Sequence, residues 1–284
     1  MANIRLIKRR IRSVKNIAQI TKAMQLVAAS KMRKAQEAAN SGRRYAEKIA
    51  EMVTRLAWAV DISQHPLLVT PPPTGKKLVI VISTNKGLCG GLNTNLFRFF
   101  FKEYAKPSAH EYLTIGQKGT LLLERMRLPV VADFSTTIPF LNNVPALTEL
   151  VVQKYIAGGF EGVDIVYSDF VSALRQNPKK RVLLPLSIAG SAGTQQSLGQ
   201  YLIEPTPEEV LNFLIPHYIE NQIRDALLQA EASEHSARMI AMKNATDNAL
   251  SLRDELTLVY NRARQEKITY EILDIVTARL AVEV

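Results

Sequence analysis

Residues 4–27 read IRLIKRRIRSVKNIAQITKAMQLV, and they set the pattern for both terminal parts of the chain. Apolar side chains recur at steps of three and four residues, in one row and a second row beside it: Ile4, Ile7, Ile11, Val14 and Ala18, then Ile17, Ile20, Met24 and Val27. This spacing predicts a helix with one buried stripe. Residues 2–60 contain no proline and a single glycine, so we predict one helix over this range. Its length of about 80 Å is typical of a coiled coil or a protruding rod.

The C-terminal part of the chain repeats this pattern. We predict a helix from Thr206 to about Arg279, with a kink or an interruption at Pro216. Its apolar residues define a heptad seam: Met242, Ala245, Ala249, Leu252, Leu256, Val259 and Ala263. Neither terminal helix can bury its stripe alone, so the economical arrangement is an antiparallel coiled coil of the two.

The middle of the chain has a different period. After a proline-rich break, residues 77–83 form a short apolar, β-branched run typical of a buried strand. Further strands are predicted at 111–115, 130–134, 163–169 and 182–188, with helices at about 92–106, 117–127 and 145–158. This alternation predicts a small α/β domain with a largely parallel sheet, followed by a flexible loop at 190–200. The predicted domains are 1–65, 76–190 and 206–284.

The charge of the chain is concentrated at one end. The net charge is +10, and residues 1–60 carry 14 Lys and Arg against three acids. The first 36 residues contain no acid at all. Such a segment indicates a polyanionic partner, which could be nucleic acid, an anionic membrane surface or an acidic protein. The single cysteine excludes an internal disulfide, and no apolar run is long enough to cross a membrane.

One glycine-rich segment lies where a phosphate-binding loop would lie. Residues 83–93 read STNKGLCGGLN, between a predicted strand and a predicted helix. The segment has neither the Walker spacing nor the G-x-G-x-x-G spacing, so the alternative is a tight turn that exposes Lys86. Cys89 has no partner for catalysis or metal binding nearby in the sequence, and the four histidines show no ligand spacing. We predict no catalytic, cofactor or metal site.

Four segments carry a family resemblance. The run ITKAMQLVAASKMRKAQ (20–36) resembles the N-terminal signature of the gamma subunit of F-type ATP synthases. NKGLCGGLN (85–93) resembles the mid-chain motif of that family. SEHSARMIAMKNATDN (233–248) and YNRARQEKIT (260–269) resemble its C-terminal helix. The four segments occur in family order and span nearly the whole chain.

The resemblance implies a fold and a mechanism. The fold is an antiparallel coiled coil of the terminal helices plus a Rossmann-like α/β domain. The coiled coil would turn inside a hexamer of alpha and beta subunits, and the α/β domain would bind the epsilon subunit and the membrane c-ring. Rotation would drive the catalytic sites of the hexamer through states with different affinities for ADP, phosphate and ATP. The resemblance implies no cofactor, no nucleic-acid partner and no membrane insertion. It implies a peripheral location on the cytoplasmic face of a bacterial inner membrane, or on the matrix or stroma side in an organelle.

The resemblance also assigns partner-binding residues. Arg264 and Gln265 match a pair that hydrogen-bonds a loop of a beta subunit. Lys86 matches a basic residue that pairs with a beta-subunit acid, and Met24 lies where the shaft meets the beta lever. Tyr201 and Glu204 match contacts with the polar loops of the membrane ring.

The chain differs from the family at two places. Asn85 replaces the usual aspartate. The C-terminus carries Arg279 and Glu283 where small apolar residues are usual.

Two other classes of function remain as alternatives on the residues alone. A nucleic-acid-binding coiled-coil protein would use the basic N-terminal helix, and filter binding to duplex DNA tests it. A nucleotide-dependent enzyme would use the α/β domain, and equilibrium dialysis with ATP tests that.

Overall fold

The computed structural model describes residues 4–57, 66–69, 71, 75–186 and 203–282. The predicted loop at 190–200 and the predicted site residue Tyr201 lie outside these ranges, as does part of the proline-rich break between 65 and 75. The chain forms two compact units. Unit 1 contains residues 1–28 and 239–284, and unit 2 contains residues 29–238. Each unit is described by itself.

The two long terminal helices are present close to their predicted bounds. Helix α1 runs from Ile4–Ala57, and helix α5 runs from Pro207–Val282. Of the kink or interruption predicted at Pro216, the interruption is wrong, because α5 continues through this residue, and the kink stays a prediction. Leu211, Ile215, Ile219 and Ile223, which lie on one face of the helix on either side of Pro216, have no exposed surface. Each such burial contributes about 1.5–3 kcal/mol, which together exceeds the roughly 3 kcal/mol cost of an internal proline.

Unit 1 is an antiparallel pair of helical segments. The hydroxyls of Thr21 and Thr246 lie 2.7 Å apart, one from each helix. In an antiparallel pair, positions that lie toward the N-terminus from Thr21 on α1 match positions that lie toward the C-terminus from Thr246 on α5. The matched positions are Ala18 with Ala249, Val14 with Arg253, Ile11 with Leu256, Ile7 with Tyr260, and Ile4 with Ala263. Each of these residues is buried or half-buried. This register confirms the predicted coiled coil.

The seam of α5 differs from the prediction at alternate positions. Thr246, Arg253 and Tyr260 face inward, whereas the predicted Leu252 and Val259 are 45% and 47% exposed. Ala245 is half-buried beside the seam. The prediction followed the apolar residues, but the register is set by the stripe of α1, which continues through the polar Thr21. The second apolar row of α1 is exposed at Ile17, Ile20 and Val27.

The threonine pair offers a test of this register. Thr246 Oγ1 also contacts the Met242 carbonyl oxygen at 2.8 Å, and Thr21 Oγ1 contacts that of Ile17 at 3.0 Å. Thr21→Val leaves the buried Thr246 hydroxyl with the Met242 carbonyl but without its partner on α1, so we expect a loss of about 1 kcal/mol of unfolding free energy. The double Thr21→Val, Thr246→Val variant should recover most of that loss. Urea unfolding of the four chains measures this, and strictly additive losses would contradict the pairing.

Unit 2 contains a five-stranded sheet in the order β3-β2-β1-β4-β5. Strands β3, β2, β1 and β4 are each parallel to their neighbours in this set, and β5 is antiparallel to β4. The strands are β1 Lys77–Ile82, β2 Glu111–Ile115, β3 Val130–Asp133, β4 Gly162–Ser172 and β5 Arg175–Leu184. The strand predicted at 182–188 overlaps only the end of β5. The rest of β5 is polar, as edge strands often are, so its sequence lacks the apolar signal.

Helices cover both faces of the sheet. Leu78, Ile80 and Ile82 of β1 pack with α4 (Val144–Ile156) and with residues 49–56 of α1 and 211–227 of α5. Val79 and Val81 pack on the opposite face with α2 (Leu92–Glu103) and α3 (Gln117–Arg125). Because β1 is buried on both sides, its sequence is a continuous apolar run. This three-layer arrangement confirms the predicted α/β domain with a largely parallel sheet.

Candidate partner-binding surfaces

The glycine-rich segment 83–93 leaves the carboxyl end of β1, the strand with which β2 and β4 both pair. Both ends of the Asn85 carboxamide form a hydrogen bond here. Its Nδ2 donates to the Ser135 carbonyl at 2.9 Å, and its Oδ1 accepts from the Gln117 N–H at 2.8 Å. Ser135 follows β3 and Gln117 follows β2, so Asn85 ties together the loops after three parallel strands.

A second contact comes from helix α5. The Arg238 guanidinium donates to the Gly87 carbonyl at 3.3 and 3.2 Å and to the Lys86 carbonyl at 3.2 Å. Glu234, one turn earlier, holds the same guanidinium at 2.7 Å, and both side chains are more than four-fifths buried. Arginine suits this role because its planar fork presents several donors at fixed angles.

The backbone of Lys86 is thereby held by Arg238, whereas its side chain takes no part in this contact and is exposed. Thr84 Oγ1 also donates to its carbonyl at 2.9 Å. The side chain is exposed, and it forms no ion pair within the described part of the chain. The arrangement presents a cation at a fixed place on the surface of unit 2. An acidic group on another protein fits it.

Asp133 stabilises the neighbouring loop. Its Oδ1 accepts from Thr114 Oγ1, Thr120 Oγ1 and the Ser135 N–H, each at 3.0 Å. Its Oδ2 accepts from Ser135 Oγ at 2.6 Å. Burial alone would raise the pKa of Asp133, but the hydrogen bonds from Ser135 and the two threonines outweigh it and hold that pKa below the ordinary 3.8.

A depressed pKa predicts a sign for the acid sensitivity of unit 2. A lowered folded-state pKa stabilises the fold above the unfolded value, and that contribution is lost as the pH falls through the folded pKa. Asp133→Asn removes the carboxylate that causes this pH dependence. The unfolding free energy of the variant should therefore change less between pH 7 and low pH than that of the parent chain. Urea unfolding at several pH values measures it. Equal slopes for Asp133→Asn and the parent chain would contradict the hydrogen-bond network.

A cleft of about 360 Å³ opens beside this loop, lined in part by Lys31, Thr84, Asn93, Phe140 and His235. It lies at the carboxyl ends of β1 and β4, where doubly wound domains bind ligands. Arg238 and Glu234 form part of its wall and are paired with each other. The nucleotide-binding alternative stays a prediction, which equilibrium dialysis of the purified chain with ATP tests.

The other predicted site residues of unit 1 lie at two levels of the coiled coil. Met24 is half-buried beside the seam, one turn from Thr21. Arg264 and Gln265 are exposed and directly follow Ala263, the last inward-facing residue of α5. Arg264 lies about 27 Å along the helix axis from Thr246, so these residues do not form one cluster with Met24. From 264 to 279 every residue of α5 is exposed, including Arg279.

Glu204 is an exposed residue of unit 2, three residues before the start of α5. Its predicted companion Tyr201 lies outside the described residues, and so does Glu283. Sequence reasoning gave no role to Arg238, although this residue lies within the quoted segment 233–248. Its contacts are to backbone carbonyls some 150 positions earlier, and such contacts leave no side-chain pattern to find.

Comparison with known proteins agrees with this geometry. The family model described as ATP synthase matches residues 3–282. The ATP synthase gamma chain of Akkermansia muciniphila is 42% identical, with all of both chains covered. That of Dehalococcoides mccartyi is 44% identical, over 97% of this chain and 98% of the relative.

Solved structures show the same fold. A Tetrahymena thermophila mitochondrial ATP synthase central stalk and c-ring structure contains a chain 26% identical, with a TM-score of 0.59, covering 80% of this chain and 99% of that one. A Euglena gracilis mitochondrial ATP synthase structure contains a chain 19% identical, with a TM-score of 0.66, covering 98% of this chain and 94% of that one.

The chain thus combines an antiparallel coiled coil with an α/β unit whose sheet is largely parallel. The chain belongs to the ATP synthase gamma chain family. Among the residues that the structure describes, no helix combines the length and the apolar character needed to cross a membrane.

Proposed function

We propose that this chain is the central rotor shaft of a rotary F-type ATP synthase. It couples ion-driven rotation of the membrane c-ring to conformational change at the catalytic sites of an alpha/beta hexamer, and it catalyses nothing itself. Family membership and the two-helix coiled coil of unit 1 support the proposal. A shaft of this kind transmits force through packed helices and surface contacts, so its residues serve rigidity and partner binding.

One observation carries the assignment of α1 to the hexamer. Ten Lys and Arg residues lie between Arg5 and Lys34, and all of them are exposed. None of the ten forms an ion pair within the described part of the chain. Unpaired cations of this number on one helix favour an acidic partner surface. We infer that this surface is supplied by the beta subunits.

The remaining partners follow from unit 2 and the segment before α5. Unit 2 would bind the epsilon subunit and, through Tyr201 and Glu204, the polar loops of the c-ring. The chain would then be a peripheral component on the cytoplasmic face of a bacterial inner membrane, or on the matrix or stroma side in an organelle. These contacts need no membrane insertion of this chain.

Reconstitution tests the proposal. The purified chain should show no ATPase activity of its own, and adding it to alpha and beta subunits should raise their ATP hydrolysis. Turnover by the purified chain that persists through further purification would overturn the proposal. Retention on filters of duplex DNA at physiological salt would instead favour the nucleic-acid alternative, which the same basic helix fits.

A further inference from the structure

We propose that Asn85 and Arg238 form a backbone clamp that positions Lys86 for an acidic group on a partner subunit. This inference rests on the proposed function, in which Lys86 contacts a neighbouring protein. It adds two positioning residues that do not themselves touch that protein.

The first half of the clamp requires an amide at position 85. Asn85 donates to the Ser135 carbonyl and accepts from the Gln117 N–H. A carboxylate can accept but cannot donate, so an aspartate here would place an anionic oxygen 2.9 Å from the Ser135 carbonyl oxygen. The asparagine therefore fixes the residue before Lys86 to the carboxyl ends of β2 and β3.

The second half requires the fork of an arginine. Arg238 reaches two successive carbonyls, those of Lys86 and Gly87, at 3.2 to 3.3 Å. Its ion pair with Glu234 holds the guanidinium at the correct place on α5. A lysine has a single nitrogen at the end of a flexible stem, and it cannot reproduce this geometry. The clamp thus connects α5 directly to the loop that carries the exposed cation.

The consequence is preorganisation of Lys86. Its peptide is held from both sides, and only the side chain is left to order when a partner binds. A cation presented in this way loses less conformational entropy on contact than one on a mobile loop. Its range of positions is also limited, which suits a contact that must form and break at the same place in every cycle.

A double-mutant cycle in the reconstituted complex tests the clamp. The variants Asn85→Asp and Arg238→Lys are each measured with Lys86 present and in a Lys86→Gln background. The readouts are the ratio of ATP-driven ion pumping to ATP hydrolysis and the thermal unfolding midpoint of the chain. With Lys86 present, each variant should lower the ratio about fivefold, the size expected for one net hydrogen bond. In the Lys86→Gln background the ratio should not fall further, whereas the midpoint should shift equally in both backgrounds.

Two matched controls separate the clamp from charge and from helix stability. Arg224→Lys changes an arginine of the same helix, one that pairs with Glu220 at 2.7 Å. Asn95→Asp adds the same charge at an exposed position of α2. Both should leave the ratio unchanged.

Additive losses in the Lys86→Gln background would overturn the clamp, because the two residues would then act on the fold and not through Lys86. A silent Lys86→Gln variant would overturn it as well. Failure of the unmodified chain to activate alpha and beta subunits would instead overturn the shaft proposal, so the two failures are distinguishable.

Discussion

Replacing Arg264 with alanine is expected to slow ATP hydrolysis by the assembled complex, or to weaken its coupling to ion pumping, by about tenfold or more. The residue is exposed just beyond the last inward-facing position of α5, and it has no ion-pair partner within the described part of the chain. If it hydrogen-bonds a beta-subunit loop together with Gln265, the charge-assisted contact contributes about 1.5–3 kcal/mol. The helix itself should stay folded, because the Arg264 side chain is exposed.

Arg253→Ala is the matched control for Arg264→Ala on the same helix. Arg253 faces Val14 in the coiled coil and binds Asp254 at 2.7 Å, so its hydrogen-bonding capacity is already partly used within the chain. Its loss should affect stability more than coupling. Steady-state ATPase and ion-pumping assays compare the two. Equal and negligible effects on coupling would mean that the shaft pushes through steric contact alone at this level.

Neutralising five cations of α1 is expected to weaken binding to the alpha/beta hexamer by about tenfold or more. The variant changes Arg5, Lys8, Arg9, Arg12 and Lys15 to glutamine. Each exposed charge contact contributes about 0.2–1 kcal/mol, so five together give a measurable loss. Because such contacts are screened by salt, the difference between variant and parent should shrink as ionic strength rises. Binding of labelled chain to purified hexamer, titrated at two salt concentrations, measures it.

A control variant that loses the same number of positive charges from another part of the chain tests whether net charge alone explains the loss of affinity. It replaces five exposed cations of unit 2 with glutamine, namely Arg98, Lys102, Lys106, Lys118 and Arg125. These residues also form no ion pair in the described part of the chain, yet no partner contact is proposed for them. An equal loss of affinity in both variants would show that the hexamer senses only total charge, which would contradict a specific role for α1.

The sequence predicted the fold well wherever burial imposes a period. The helical stripe of α1 gave its length and its inward face from Ile4 to Ala18. The apolar run 77–82 gave β1, because this strand is buried on both faces. Strand β2 was predicted with its observed bounds. In each of these segments the pattern of apolar side chains is enough to identify the buried face.

The prediction failed where contacts are made by polar residues. The seam of α5 uses Thr246, Arg253 and Tyr260, whose polarity hides their inward position, and the predicted Leu252 and Val259 are exposed. Most of β5 is polar and lies at a sheet edge, so its sequence resembles a loop. The interruption predicted at Pro216 does not occur, because four apolar residues around it are buried, and their burial is not visible in the sequence.

The candidate site was predictable only in part. Lys86 was located by its glycine-rich context, and Arg264 and Gln265 by resemblance; their roles remain proposals. The roles of Asn85 and Arg238 could not be predicted, since both bind backbone groups that become neighbours only in the folded sheet. Asn85 forms one hydrogen bond through each end of its carboxamide, to Ser135 and to Gln117.

Direct observation of rotation tests the central claim most sharply. Cys89 is 3% exposed, so a cysteine introduced at the exposed Lys102 can be labelled selectively. A bead attached there, on a complex whose hexamer is fixed to a surface, reports the motion of this chain during ATP hydrolysis. We predict rotation in one direction, in step with hydrolysis, and its loss when ATP is omitted. Sustained hydrolysis by complexes that contain the labelled chain, with the bead stationary, would contradict the account.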